Sequence, residues 1–142
     1  MPEVVIEQGS WEQLGEAAGD IRYRVFVIEQ QVPIEEEWDG LDPDCLHFLA
    51  SQDERVLGTA RLLPDGHIGR VAVLAEARGL GVGVALMRAT IKAARQRGHS
   101  SVELAAQTHA LGFYEALGFR AEGDIFLDAG IPHRNMTLSL ND

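Results

Sequence analysis

Three glycines fall within the six residues Arg78-Gly79-Leu80-Gly81-Val82-Gly83, and the turn they make joins an apolar strand-like run to a helix-like one. No other stretch restricts the fold as much. The run near residues 67–75 follows Asp65-Gly66, a strong hairpin dipeptide, and reads as a strand. Beyond the glycines, Val84, Met87, Ile91 and Ala94 recur at helical spacing and mark a buried face. Arg88, Lys92 and Arg95 mark the wet face, and Gly98 is a good terminator. Ser101 to Ala106 then reads as another strand. A helix crosses between the two strands, so they should run parallel.

The same turn has a chemical consequence. The N-terminus of a helix carries unpaired N–H groups and a partial positive charge, so it binds anions. Glycines let anion oxygens approach the backbone with no Cβ in the way. Arg78 adds a charged fork at the mouth. Pyrophosphate is the natural guest. A P-loop is excluded, because no Gly-Lys pair occurs in the chain. A Rossmann fingerprint fails too: counted from Gly79 its last position is Val84, and counted from Gly81 its second glycine is missing. A glycine-rich turn that serves only tight packing stays open on the hexapeptide alone.

The flanking sequence predicts a mixed α/β domain. Val4-Val5-Ile6 is a first strand, and Ser10-Trp11-Glu12-Gln13 has the form of a capping box that opens a helix. Asp20 is expected to cap a second helix through Gln30, with Ile21, Val25 and Ile28 on one face and Pro33 as its stop. Residues 34–44 read as an acidic loop around Trp38. Strands are expected near 46–51 and 55–63, turning at Asp53-Glu54, and a short helix from Ala110 to Leu117 ends at Gly118. Closing strands lie near 119–127 and 134–140, separated by residues 128–132. No linker or repeat divides residues 1–142, so one domain is expected.

Charge is distributed unevenly. The chain carries 12 Lys and Arg against 22 Asp and Glu, a net charge of −10, which argues against a general nucleic-acid binder. Residues 55–99 nevertheless hold eight basic and two acidic side chains, which suits a local anion site. The acidic first third should attract cations, or simply be a solvated face. Apolar runs are too short to span a bilayer, and Met1-Pro2-Glu3 does not open like a secretory signal. The single cysteine, Cys45, allows no internal disulfide, so a reducing cytoplasmic setting is expected. Cys45 and His47 would share a strand face, yet neither a glycine elbow nor a helix N-terminus flanks Cys45 to activate it. The five histidines show no metal-ligand spacing, and no metal is expected.

Arg-Gly-x-Gly-x-Gly between a strand and a helix resembles the acyl-CoA-binding motif of the GCN5-related N-acetyltransferases (GNAT family). The stretch Gln107-Thr108-His109-Ala110-Leu111-Gly112-Phe113-Tyr114-Glu115-Ala116-Leu117-Gly118-Phe119 is similar to that family's later signature, with Gln107 where the family has Asn. Residues 24–31, Ile68-Gly69-Arg70-Val71-Ala72-Val73 and Gly130-Ile131-Pro132-His133 further resemble its ElaA-like branch. Together the matches run from about residue 20 to residue 138. The resemblance implies a central mixed sheet flanked by helices, with acyl-CoA lying between two splayed parallel strands.

It also implies roles. Val71, Ala72 and Val73 would meet the pantetheine arm, with a backbone N–H near Val73 stabilising the oxyanion. Arg78, Gly79, Gly81, Val82 and Gly83 would cradle the pyrophosphate, and Gln107, Ala110 and Phe113 would complete the cofactor site. Tyr114 matches the usual general acid for the leaving thiolate; read from the residues alone it is equally a core aromatic beside Phe113 and Leu117. A base is needed as well. Glu29 is the first candidate and Glu103 the second, with His67 and His109 titrating in the right range. Glu37 and Trp38 fall where the family builds its acceptor site. The implied activity is acetyl transfer from acetyl-CoA to a small-molecule or peptide amine, without nucleic acid or membrane partners. A non-catalytic acyl-CoA sensor and a CoA thioester hydrolase are the alternatives, and a homodimer is among the open assemblies.

Overall fold

The computed structural model describes residues 3–141. Strand β1 (Val5–Gly9) leads into helix α1 (Trp11–Arg22). The capping box forms as expected: the Ser10 hydroxyl accepts from the Gln13 N–H at 3.2 Å, and the Gln13 side chain accepts from the Ser10 N–H at 3.0 Å. No second helix starts at Asp20. The chain stays helical through Tyr23 and widens into a π-helical stretch over Tyr23–Glu29, in which Gln30 N–H reaches the Val25 carbonyl. A cap must sit where the chain leaves helical geometry, and nothing in Gly19-Asp20 forces that departure. Asp20 instead pairs with Arg24 one turn on, at 3.2 Å. Ile21 and Val25 are buried as their spacing predicts, but Ile28 is exposed.

The acidic segment is not a plain loop. Helix α2 (Ile34–Glu37) begins right after Pro33, and a single 3₁₀ turn covers Asp42–Asp44. Strands β2 (Leu46–Gln52), β3 (Arg55–Leu62) and β4 (Ile68–Val73) follow, with Asp53 and Glu54 both at positive φ in the first turn. Helix α3 (Val82–Gln96) then crosses to β5 (Ser101–Gln107), and α4 (Leu111–Ala116) precedes β6 (Arg120–Asp128) and β7 (Ile131–Ser139). The last hairpin turns on Ala129-Gly130, tighter than the five-residue gap the sequence suggests.

The α/β architecture is as expected, but the sheet is open at its centre. Strands β1-β2-β3-β4 form one antiparallel sheet and β5-β7-β6 another. They meet where His67 and Glu103 form a parallel bridge and the Glu103 N–H donates to the Gly66 carbonyl at 3.2 Å. Beyond that clasp β4 and β5 part. A β-bulge accompanies the parting: Thr59 pairs with Ala72 and Arg61 with Gly69, so Arg70 and Val71 together oppose Ala60. Bulges re-aim side chains and end pairing. Arg70 sits at φ 48, a left-handed conformation that costs a side-chain-bearing residue ~1–2 kcal/mol.

One core fills the space between the sheets and α3. Leu86, Met87, Ala94, Phe48, Leu62, Val102 and Met136 are fully enclosed in it. The face of α3 expected to be wet, at Arg88, Lys92 and Arg95, is exposed.

Candidate active site

Where β4 and β5 separate, a cleft of about 1020 Å³ opens between them. Its walls gather residues distant in sequence. Val71, Ala72 and Val73 come from β4, and Arg78 from the turn after it. Gln107 and Ala110 come from the end of β5, Tyr114 from α4, and Glu29 and Glu37 from the helical segments beyond α1.

The glycine turn is built for close backbone approach. Gly79 and Gly81 have φ values of 81° and 84°, and a Cβ at either would meet nothing within 4 Å. Gly81 is the N-cap of α3, and its carbonyl accepts the first helical bond, from Ala85 N–H at 3.1 Å. The N–H groups of the first turn are therefore left for a ligand. Val82 anchors the helix start, its side chain buried in the core. Gly83 has a packing role: a Cβ there would lie 3.2 Å from the Phe113 ring. Phe113 itself stands edge-on to Tyr114, with centroids 5.0 Å apart, and does not line the cleft.

Tyr114 is 9% exposed, and burial pushes its pKa up to about 12. Its hydroxyl has no hydrogen-bond partner among the described residues, and the residue lines the cleft. The phenol is thus a protonated donor across the working pH range.

Glu29 is not a free carboxylate. It forms a two-pronged pair with Arg78, Nη1 and Nη2 each at 2.6 Å from a carboxylate oxygen. The Arg78 hydrogen bonds hold its pKa below the usual carboxylate range, against a smaller opposing effect of burial. That makes Glu29 a weaker base than the sequence assigned. Arg78 Nε also donates to the Val73 carbonyl at 3.1 Å, so both expected ligand partners are engaged with each other. Glu103, the second base candidate, lies 3.0 Å from His67 Nε2, while Asp65 lies 3.0 Å from His67 Nδ1. These groups clasp the two sheets. His109 lines the cleft but makes no ion pair.

Gln107, at the position where Asn was expected, forms a reciprocal amide pair with Gln30 across the cleft, its Nε2 donating to Gln30 Oε1 at 2.9 Å. Trp38 is 55% exposed and stands edge-on to Trp11 at 6.1 Å, outside the cleft lining. It pins the loop. Cys45 is buried and donates to the Leu41 carbonyl at 3.2 Å. Burial pushes its thiol pKa up, and the His47 ring is engaged with the Asp42 carbonyl at 2.9 Å, so the two do not form a nucleophilic pair.

The largest departure concerns the acidic segment. Glu37 and Asp42 are buried, the Asp39 side chain is partly covered, and all three are paired with arginines. Arg22 donates to Glu37 at 2.5 Å and to Asp42 at 2.7 Å. Arg61 bonds Asp42 at 2.9 Å and grips both oxygens of Asp39. Arg70 reaches the Glu37 carbonyl and Asp39. These three carboxylates are neutralised, while Glu35, Glu36 and Asp44 stay exposed and carry what remains of the acidic surface expected from sequence. Arg22, Arg61 and Arg70 were not singled out there. The available signal was a charge in the middle of apolar strands β3 and β4, where burial demands a partner. Among the described residues no group of three His, Cys, Asp or Glu side chains is placed to hold a metal, and no helix is long and apolar enough to cross a membrane.

The model of the acetyltransferase (GNAT) domain matches residues 12–140. The chain belongs to the GNAT acetyltransferase family. The uncharacterized N-acetyltransferase YjcF of Bacillus subtilis is 43% identical over 120 residues, covering 82% of this chain and 86% of that protein. Among solved structures, an acyl-CoA N-acyltransferase from Pseudomonas aeruginosa superposes with a TM-score of 0.85 at 33% identity, covering 96% of this chain and 100% of the other. Escherichia coli ElaA has a TM-score of 0.85 at 30% identity, with 95% and 99% covered. This GNAT domain is therefore an acyltransferase that takes its acyl group from an acyl-CoA donor.

Proposed function

We propose that residues 1–142 form one acetyl-CoA-dependent N-acetyltransferase domain that moves an acetyl group directly onto a primary amine. The observation that carries the proposal is the convergence on one cleft of Arg78, which opens the glycine turn, the parted β4 edge and Tyr114. The pyrophosphate rests on Gly79, Gly81, Val82 and Gly83 N–H groups and on Arg78, and the pantetheine arm runs along Val71–Val73. Gln107, Ala110 and, through its packing on Gly83, Phe113 shape the far wall. The amine nitrogen attacks the thioester carbon, an N–C bond forms, and the C–S bond breaks as the tetrahedral oxyanion collapses. A backbone N–H near Val73 stabilises that oxyanion. The thiolate leaves beside Tyr114, and the amine proton departs through water. The single free thiol supports a reducing, cytoplasmic setting.

The test is thiol release from acetyl-CoA with and without an amine mixture. A transferase stays slow until amine is added. Release without amine identifies a thioester hydrolase, and binding without release identifies a sensor domain.

Arg78 must exchange Glu29 for the pyrophosphate. Glu29→Gln is expected to keep kcat within about two-fold and to lower the KM for acetyl-CoA. The gain is at most about five-fold, because an exposed ion pair is worth no more than ~1 kcal/mol. A loss of kcat beyond ~10²-fold, measured by the same thiol release, would restore Glu29 as the base.

A further inference from the structure

Part of the cleft wall is a set of arginines whose donors are not all used. Arg61 is 4% exposed, and its Nε is buried without a hydrogen-bond partner. Arg70 makes its side-chain hydrogen bonds through Nη2 alone, to the Glu37 carbonyl at 3.0 Å and to Asp39 at 3.4 Å. Its Nε is buried and unbonded as well, 3.5 Å from Glu37. Both residues line the cleft.

Leaving a buried guanidinium N–H unpaired costs ~1–3 kcal/mol or more. Arg70 also pays for a left-handed backbone at φ 48, inside the bulge that turns it toward the cleft. Strain of this kind persists where the surroundings enforce it and gathers at ligand-binding sites. The charges decide which ligand suits it. Arg22, Arg61 and Arg70 face Glu37, Asp39 and Asp42, so three positive charges meet three negative ones. Arg22 and Arg61 spend most of their donors inside that network. What remains is one unpaired Nε–H on Arg61 and one on Arg70, and the ligand that guanidinium donors match is a planar monoanion.

Arg70 lies three residues before Val73 on β4, about 10 Å along the strand. A group carried by an amine that attacks near Val73 is within reach of a side chain at that spacing. We infer that the acceptor is an amine carrying a carboxylate, as an amino acid does, and that Arg70, supported by Arg61, recognises that carboxylate. This rests on the acyltransferase reading above.

The experiment compares kcat/KM for the twenty amino acids with that for the matching carboxamides and decarboxylated amines, adding ethanolamine and phosphoethanolamine. Acetyl-CoA binding is followed separately by calorimetry. At least one carboxylated amine should be favoured over its neutral counterparts by about 10- to 150-fold, the value of a charge-assisted hydrogen bond of ~1.5–3 kcal/mol. Arg70→Gln should collapse that ratio toward one while acetyl-CoA binding persists. A merely structural arginine would lower all acceptors together and leave the wild-type ratio near one. The inference is overturned if neutral amines or phosphoethanolamine are preferred, or if no carboxylated amine is acetylated although acetyl-CoA binds. Failure to bind acetyl-CoA would instead sink the acetyltransferase reading, and this inference with it.

Discussion

Tyr114→Phe is expected to lower kcat for acyl transfer by roughly 10²-fold and to leave the Kd for acetyl-CoA unchanged. The substitution removes one oxygen from a ring held between Phe113 and Phe119, whose centroids lie 5.0 and 5.9 Å away. Packing is preserved, so the fold should be too. The size of the effect follows from acidity. Burial raises the Tyr114 pKa to about 12, whereas a free thiol sits near ~8.5. Complete proton transfer to the thiolate is then uphill by about 5 kcal/mol. Tyr114 therefore acts by hydrogen-bonding to sulfur as charge develops, and such a bond to a charged group is worth ~1.5–3 kcal/mol. That is the lower end of what a positioned proton donor supplies. The same pKa predicts no alkaline loss of kcat/KM from this phenol below about pH 10. Steady-state thiol release, paired with calorimetric titration of acetyl-CoA, reads both parts. An unchanged kcat would make Tyr114 a core aromatic and nothing more.

The second large effect concerns stability. Asp42→Asn leaves Arg22 and Arg61 facing each other in a buried site with their shared carboxylate gone. Breaking a buried ion pair in this way costs ~3–5 kcal/mol, which for a chain of this size lowers Tm by roughly 10–15 °C. The loss should depend on pH. Burial raises the Asp42 pKa, but hydrogen bonds and charge from Arg22 and Arg61 outweigh it, and the net shift is downward. Asp39 is likewise held low, chiefly by its hydrogen bonds to Arg61. A carboxyl whose folded pKa lies below its unfolded value stabilises fully above the unfolded value, near ~3.9. That stabilisation is lost as pH falls through the folded pKa. The gap in Tm between wild type and Asp42→Asn should thus be widest near pH 7 and narrow below about pH 4. A gap of a degree or two at pH 7 would show that the network contributes little.

These outcomes also mark what a single sequence can and cannot carry. Local signals were legible. The Ser10 capping box, the Asp53-Glu54 turn and the strand–glycine–helix junction all depend on residues within a few positions of one another, and all form as read. Asp20 shows the limit of that logic, since a good capping residue becomes a helical surface residue when the chain does not turn there. Long-range pairings left no local trace. Arg78 and Glu29 are 49 residues apart, and Arg61 and Asp42 are 19 apart. A count of acidic residues in 34–44 therefore does not tell the paired ones from the free ones, because the arginines that neutralise Glu37, Asp39 and Asp42 arrive from α1, β3 and β4. Trp38 gives a related case: its edge contact with Trp11, 27 residues earlier, has no local trace in the sequence.

The central claim is that the parted strands and the glycine turn form an acyl-CoA site, and a thermal melt tests it most directly. Saturating acetyl-CoA, at about 100 times its Kd, should stabilise the fold by ~2.7 kcal/mol and raise Tm by several degrees, while ATP and NADH at the same concentration leave it in place. Equal shifts with all three, or none with acetyl-CoA, would contradict the account.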